Sequence, residues 1–324
     1  MAPLLLALDF GGTKHAAALV RPDAAPLQWQ AYRRQLSPPD ANAQVDLAVM
    51  RSLTHALLNG ARPDAIGVSF GGPVDFTTGT VRLSHHVPGW ENLPLKQWLT
   101  AEWGVPVQVD NDANVAALGE HQFGAGRGAD SLMYITVSTG VGGGWILNGR
   151  SWRGAEGMAG EIGHTVVDPH GPVCLCGKRG CVERLASGAY IAQQMRDRLQ
   201  QTPDQGQILR SQVADLDTLT AQQISQAAAE GDALARDVLR QAGVALGMGI
   251  GNAANLLNPQ RFILGGGVTK AGEGWWQSVR QAARQTALPE VNFEILPAAL
   301  GEDAPLWGAI VLAQQLISPG SSHG

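Results

Sequence analysis

Two widely separated segments share one pattern, and that repeat constrains the fold more than any other feature. Pro3-Leu4-Leu5-Leu6-Ala7-Leu8 runs into Asp9-Phe10-Gly11-Gly12-Thr13-Lys14 and then the apolar stretch Ala16 to Val20. Leu132 to Val137 runs into Ser138-Thr139-Gly140-Val141-Gly142-Gly143-Gly144 and then Trp145-Ile146-Leu147. Each reads as buried strand, glycine-polar turn, buried strand. A chain of 324 residues accommodates about two domains. The repeat therefore points to two domains built on the same hairpin, each opening one sheet. Two unrelated glycine-rich hairpins are the alternative.

Between and beyond the hairpins, strands alternate with helices, the pattern of layered α/β architecture. Ala65 to Phe70, Val105 to Val109 and Arg261 to Leu264 are short apolar strands. Helical spacing covers Gln44–Leu58, Ala186–Leu199, Ala221–Glu230, Asp232–Asn255 and Gly274–Thr286. The tail after Ile317 (Ser-Pro-Gly-Ser-Ser-His-Gly) is expected to be disordered.

With 44% hydrophobic and 16% charged residues the chain can bury a sizeable core. Its net charge of −5 offers no overall attraction for nucleic acid or an anionic membrane. The start of the chain lacks a basic region and a long apolar core of the secretory kind. The longest small-apolar stretch, Ala242 to Leu257, carries Asn252 and Asn255 and reads as a tightly packed helix, short of the about 20 apolar residues of a membrane span. A cytoplasmic chain with no membrane or nucleic-acid partner is the expectation. Glycine is in excess, 41 residues, and it clusters beside strands, where bare backbone can approach a ligand.

Three clusters carry chemistry. In the first hairpin, glycine lets N–H groups reach phosphate oxygens, while Thr13 and Lys14 add a hydroxyl and a cation. Neither a P-loop nor a dinucleotide Gly-x-Gly-x-x-Gly is present, and alone the motif is equally a plain tight turn. Ser138–Gly144 and Gly265–Gly267 strengthen the case for a nucleotide. The second cluster is Asp110-Asn111-Asp112-Ala113-Asn114, between a strand and an alanine-rich run. It reads as a helix cap or as a carboxylate presented at a cleft.

The third cluster is Gly160-Glu161-Ile162-Gly163-His164 followed by Cys174-Leu175-Cys176-Gly177-Lys178-Arg179-Gly180-Cys181-Val182-Glu183. The chain's three cysteines all fall here, and with one imidazole they complete a tetrahedral Cys₃His zinc set. Four protein ligands leave no open position, so the metal would be structural. His164 is the preferred histidine, with His170 competing. Free thiols or a redox pair are the alternatives. Glu161 and Glu183 flank the loop, and paired acceptors suit the hydroxyls of a sugar. Solvated surface glutamates are the plainer option.

These residues together resemble the ROK family (repressors, open reading frames and sugar kinases), its kinase branch in particular, over nearly the whole chain. Asp9–Lys14 is similar to its first phosphate motif, and Thr136–Gly144 to its second. Gly71-Gly72-Pro73-Val74-Asp75 and Pro88-Gly89-Trp90-Glu91-Asn92 resemble its sugar-loop segments, and Asn111-Asp112-Ala113-Asn114 its catalytic motif. Glu161–Glu183 matches its zinc-loop signature, and Gly301–Ala309 its closing helix.

The resemblance implies a two-domain actin-like ATPase (ribonuclease H-like) fold of the α/β class, with an interdomain cleft and a structural zinc loop. The expected domains are 1–111 with 301–324 returning to it, and 112–300. It implies ATP-dependent phosphorylation of a hexose 6-hydroxyl, glucose first, with N-acetylmannosamine or N-acetylglucosamine as alternatives. Asp112 would be the general base. Gly72, Asn92, Asn111, Asp112, Glu161, His164 and Glu183 would hold sugar. Asp9, Gly11, Gly12, Thr13, Lys14, Thr139, Gly140, Gly142, Gly265 and Gly266 would hold ATP, with Mg²⁺ on its phosphates. Zn²⁺ would sit on His164, Cys174, Cys176 and Cys181, and His164 would serve metal and sugar through its two ring nitrogens. A homodimer or homotetramer is implied.

Two departures from the family pattern stand out: Phe10 where Ile or Leu is commoner, and His86 where many members carry asparagine. A sugar-responsive transcription regulator of the same family is the rival from another class. It would need a DNA-reading helix-turn-helix ahead of the first strand, which here begins at about residue 3.

Overall fold

The computed structural model describes residues 2–22, 28–84 and 87–317. His86 and the tail after Ile317, both singled out above, lie outside the described residues. In chain order the elements are β1 (Leu5–Phe10), β2 (Lys14–Val20), β3 (Ala31–Leu36), α1 (Ala43–Leu58), β4 (Ala65–Phe70), β5 (Val74–Asp75), β6 (Thr80–Val81), α2 (Leu95–Trp103), β7 (Val107–Asn111) and α3 (Asp112–Phe123). There follow β8 (Leu132–Val137), β9 (Val141–Leu147), β10 (Arg150–Trp152), α4 (Val182–Ala186), α5 (Gly188–Gln201), α6 (Gln207–Gln212), α7 (Ala221–Ala229), α8 (Ala233–Leu257), β11 (Arg261–Gly265), α9 (Glu273–Thr286), β12 (Glu294–Pro297) and α10 (Ala304–Ile317).

The chain divides into two compact units. The first holds Met1–Gly128, Gly144–Ala159 and Ala299–Gly324; the second holds Ala129–Gly143 and Gly160–Ala298. The division differs from the expected boundary at residue 112. The helix α3 packs along α10, and α10 lies against β1 and β4, so all of α3 belongs to the first unit.

The first unit is a five-stranded sheet in the order β3-β2-β1-β4-β7. β1 is antiparallel to β2 but parallel to β4, and β4 is parallel to β7. β1 and β4 are buried at every position, which is why both read as largely apolar runs. On one face Leu6, Leu8, Ile66, Val68 and Val109 join Leu47, Met50 and Leu53 of α1 in a single core. The backbone itself fixes the packing of α10. A Cβ on Gly67 would meet the Ala309 carbonyl oxygen at 1.7 Å, and one on Gly308 would meet that of Val115 at 1.7 Å.

In the second unit β8, β11 and β12 form parallel pairs, and α8 is the central helix, packed by α4, α5, α7 and α9. Its stretch Ala242–Leu257 is the packed helix expected from sequence. Gly243, Gly247 and Gly251 face Trp275, Val279 and Ala283 of α9 so closely that a Cβ would stand within 2.9 Å of backbone oxygen at each. The helix expected over 186–199 is broken at Ser187, whose extended backbone (φ −73°, ψ 156°) separates α4 from α5. The break lets the Gly188 N–H donate to the Ser138 carbonyl at 2.7 Å. Among the described residues no helix is long and apolar enough to cross a membrane.

Candidate functional site

Strand register in the first unit delivers the chemistry. Asp9 stands opposite Ser69, and Ser69 opposite Asp110; one residue on, Phe10, Phe70 and Asn111 form the next row. The carboxyl ends of three parallel strands thus hold the first glycine turn, Gly71-Gly72 and the start of α3 at one edge, where α/β sheets bind ligands. Asp9 is buried and its Oδ1 accepts from Ser69 Oγ at 2.7 Å. Burial pushes its carboxyl up to about 6 against the pull of Ser69 and Lys14.

Asp112 is the first residue of α3, and its Oδ1 accepts from the Ala113 N–H at 2.8 Å. Its carboxyl is pushed up to about 7, first by desolvation and then by the negative charge of Asp9. A carboxylate poised near neutrality and next to a second one has the profile of a general base.

Asn111 is the cap of α3. Its Oδ1 accepts from the N–H groups of Ala113 and Asn114 at 3.0 and 3.4 Å, and its Nδ2 donates to the Gly72 carbonyl at 3.0 Å. Gly72 is pressed against the Leu83 carbonyl, which a Cβ would meet at 2.7 Å. Asn92 is exposed in the left-handed region (φ 56°) and donates its N–H to the Arg82 carbonyl. In the first hairpin Gly11 N–H donates to the Lys14 carbonyl at 3.1 Å, Gly12 is half-buried and Thr13 is exposed. Lys14 Nζ donates to Glu302 Oε2 at 2.6 Å, an oxygen Arg34 also contacts at 3.0 Å.

Sequence reasoning assigned no individual role to three charged residues of this unit. Asp110, buried two residues before Asp112, is ion-paired to Arg153 at 2.8 Å, and the guanidinium lies 3.5 Å over the Phe76 ring. Burial nevertheless raises the Asp110 carboxyl above the ordinary range. Glu120, fully buried in α3, accepts from the N–H groups of Ala125, Ala299 and Leu300 at 2.8, 3.1 and 2.8 Å. The signal available was a charge inside an otherwise buried run, which does not reveal a partner far along the chain.

In the second unit the loop expected to bind metal brings its four expected ligands together. One ligand atom each from His164, Cys174, Cys176 and Cys181 lies within 4.8 Å of every other. Cys176 and Cys181 sulfurs are 3.6 Å apart, and His164 Nδ1 is 4.0 Å from Cys174 Sγ. Tetrahedral zinc with bonds of about 2.3 Å to sulfur needs ligand atoms about 3.5–3.8 Å apart, so the set fits such an ion. His170 is outside the set; it is exposed and its N–H donates to Asp168. Gly180 (φ 62°) permits the closure, since a Cβ there would strike the Asp168 carbonyl. The Cys176 thiol is drawn down to about 7, chiefly by the Lys178 N–H, whereas burial pushes Cys181 up.

The flanking glutamates have different partners. His164 Nε2 faces Glu161 Oε2 at 4.0 Å, and Glu161 is exposed, so one ring nitrogen of His164 serves the sulfur cluster and the other a carboxylate. Glu183 opens α4 and its Oε2 accepts the Val141 N–H at 2.9 Å, fastening the second hairpin. Gly140 lies against the same carboxylate, with a Cβ at 2.7 Å from Oε2. Gly142 is half-buried and Thr139 exposed. Gly266 (φ 88°) crosses the end of β8, where a Cβ would meet the Val137 carbonyl at 2.4 Å, and Gly265 lies against Tyr134.

The ROK family sequence model matches residues 5–316. A glucokinase of Halalkalibacterium halodurans is 41% identical over 264 residues, 79% of this chain and 78% of its own. An N-acetylmannosamine kinase of Salmonella arizonae is 34% identical, over 95% of this chain and 98% of its own. The crystal structure of a ROK family glucokinase from Streptomyces griseus in complex with glucose and AMPPNP superposes with a TM-score of 0.82 at 34% identity, covering 96% of this chain and 99% of that one.

Proposed function

Because the chain belongs to the ROK family, we propose that it is an ATP-dependent sugar kinase that phosphorylates the 6-hydroxyl of a hexose, glucose first. The observation that carries the reading is Asp112, a carboxylate at a helix start, pushed up to about 7 beside Asp9. The relatives that are glucokinases, one of them bound to glucose and an ATP analogue, support it. The proposed fold is actin-like.

In this reading Asp112 takes the proton from the sugar hydroxyl as that oxygen bonds to the γ-phosphorus. The bond from that phosphorus to the bridging oxygen breaks and ADP leaves. Such transfer needs positioning and charge neutralisation more than covalent help. Asn111, Glu161, His164 and Glu183 hold ring hydroxyls, with Gly72 and Asn92 beside them. The backbone of Gly11, Gly12, Gly140, Gly142, Gly265 and Gly266, with Thr13, Lys14 and Thr139, receives ATP. Mg²⁺, when bound with ATP, supplies charge neutralisation, and Asp9 is the hard oxygen donor at hand. Lys14 must exchange Glu302 for phosphate. We also propose a cytoplasmic dimer or tetramer.

A coupled assay of ATP consumption across glucose, mannose, fructose, N-acetylglucosamine and N-acetylmannosamine tests the substrate. Glucose should give the highest kcat/KM; a preference for N-acetylmannosamine moves the chain to the alternative branch. No sugar-dependent turnover with any of them sinks the reading.

The base also sets the pH profile. Asp112 works deprotonated, so kcat/KM should rise with pH through about 7. A profile flat from pH 5.5 to 8.5 would remove the assignment.

His164, Cys174, Cys176 and Cys181 would hold zinc, which ties the Glu161 and Glu183 flanks when bound and takes no part in transfer. Cys181→Ser should lose the one zinc per chain measurable by metal analysis and raise sugar KM about tenfold, with a smaller change in ATP KM. Zinc retained, or both KM values unchanged, contradicts a shaping role.

A further inference from the structure

The first unit contains a further buried carboxylate that the proposed chemistry does not use. Asp46, in the first turn of α1, is 2% exposed, and donors from three separate segments converge on it. His15 Nε2, from the residue after Lys14, lies 2.7 Å from its Oδ1. Ser37 Oγ donates to the same oxygen at 2.8 Å. Trp90 Nε1 donates to Oδ2 at 3.3 Å. His15 has no exposed surface, and among the described residues its Nδ1 has no hydrogen-bond partner. Its hydrogen bonding therefore runs through its Asp46 side, while the Phe10 ring packs edge-on against the imidazole with centroids 5.6 Å apart.

Backbone contacts repeat the connection. Ser37 N–H donates to the carbonyl of Thr13, at the tip of the first hairpin, and Ala43 N–H donates to Pro88, in the loop before Trp90, both at 3.0 Å. The Trp90 ring then meets the site from behind. It packs edge-on to Phe10, with centroids 5.6 Å apart, and to Phe70 at 4.7 Å. Phe10 follows Asp9 and Phe70 precedes Gly71-Gly72. A small cleft lined by Phe10, Gly12, Asp46, Gly71, Ser84 and Trp90 lies at this junction. Movement of the Trp90 loop is thus transmitted to both glycine segments through packed rings.

We propose that Asp46 is a positioning residue for sugar phosphorylation, its one carboxylate holding the first phosphate hairpin and the Pro88–Asn92 sugar loop in mutual register; this rests on the kinase reading above. An apolar side chain would fill such a core at less desolvation cost, but it could not bind three donors in one fixed geometry. Burial works against ionisation of Asp46, and the hydrogen bonds from His15, Ser37 and Trp90 outweigh it, holding the carboxyl below the ordinary range.

The experiment compares wild type, Asp46→Asn and Leu53→Ala, the last a buried residue of α1 outside the network. Steady-state kinetics are run with glucose and ATP, or with whichever sugar the panel prefers. Exchange of the Trp90 indole N–H is followed by NMR, its resonance identified with Trp90→Phe. Asp46→Asn should raise sugar KM about tenfold with kcat within about threefold, and should speed exchange of the Trp90 indole alone. Leu53→Ala should lower Tm and leave sugar KM in place. An Asp46→Asn enzyme with wild-type KM, or one whose KM shift is matched by Leu53→Ala, overturns the positioning role. So does an indole that exchanges as slowly as before. A wild-type protein that consumes no ATP with any sugar overturns the kinase reading instead, and leaves the indole measurement to decide the tether by itself.

Discussion

Asp112→Asn should abolish nearly all turnover while making the folded chain more stable at pH 8. The amide has the same shape and keeps an oxygen to accept the Ala113 N–H, so the start of α3 is retained. What it loses is the capacity to take a proton, and a positioned general base is worth about 10²–10⁴-fold. The stability change has the opposite sign. The folded-state pKa is raised to about 7 by desolvation and by Asp9, so between the ordinary carboxylate range and about 7 the folded chain holds a proton that the unfolded chain releases. Stability therefore falls as pH rises through that window and stays lower above it. Removing the ionisable group removes this penalty, on the order of 2–4 kcal/mol. The loss of one favourable charge at a helix N-terminus, about 0.3–1 kcal/mol, offsets part of it. The paired measurement is kcat by coupled assay and thermal melting from pH 5 to 8. Turnover near wild type removes Asp112 from the base role. A variant less stable than wild type at pH 8 would mean that its charge is better solvated than the surroundings imply.

That combination, activity opposed to stability, also shows which parts of the molecule can be read from sequence. β1 and β4 were legible because strands buried on both faces are mostly apolar, with Asp9 and Ser69 the exceptions, and β7 was legible by its valines. β3 was not: its side chains are nearly all exposed, so Ala31–Leu36 carries no apolar signature and owes its place to pairing with β2. The strand expected to end at Val109 continues to Asn111, because Asp110 is neutralised inside the fold by Arg153. The Cys and His cluster was legible because its spacing is local. His15, Asp46 and Trp90 were not grouped, since a carboxylate collects donors by three-dimensional proximity and not by spacing. Lys14 read as a phosphate cation; its observed partner Glu302 lies at the other end of the chain. Local chemistry is written in motifs, whereas its support is written in topology.

Gly308→Ala tests that support. Gly308 sits where α10 crosses α3, and a Cβ there would lie 1.7 Å from the Val115 carbonyl oxygen and 2.5 Å from its carbon. Neither atom belongs to a side chain that can swing away. Gly119 of α3 meets the Ala304 carbonyl in the same fashion, at 2.4 Å, so the two helices touch backbone to backbone on both sides of the crossing. Opposite α3, α10 is blocked by β4, where Gly67 approaches the Ala309 carbonyl. The added methyl can be accommodated only by driving α3 outward, which costs about 3 kcal/mol or more by the measure of overpacked cores. For a chain of this size that is a fall in Tm of about 4–5 °C or more. The displacement reaches the chemistry, because Asp112 is the first residue of the helix being moved. A shift of about 1 Å at a base can cost up to about 100-fold, so kcat should fall more than tenfold even well below the new Tm. Gly274→Ala is the comparison: it lies in the first turn of α9 with nothing within 4 Å of its Cβ, and it should leave activity unchanged and stability equal or slightly higher. A Gly308→Ala protein with the melting temperature and kcat of wild type would show that α3 and α10 are not locked at this crossing, and that the position of the base is set by something other than the backbone behind it.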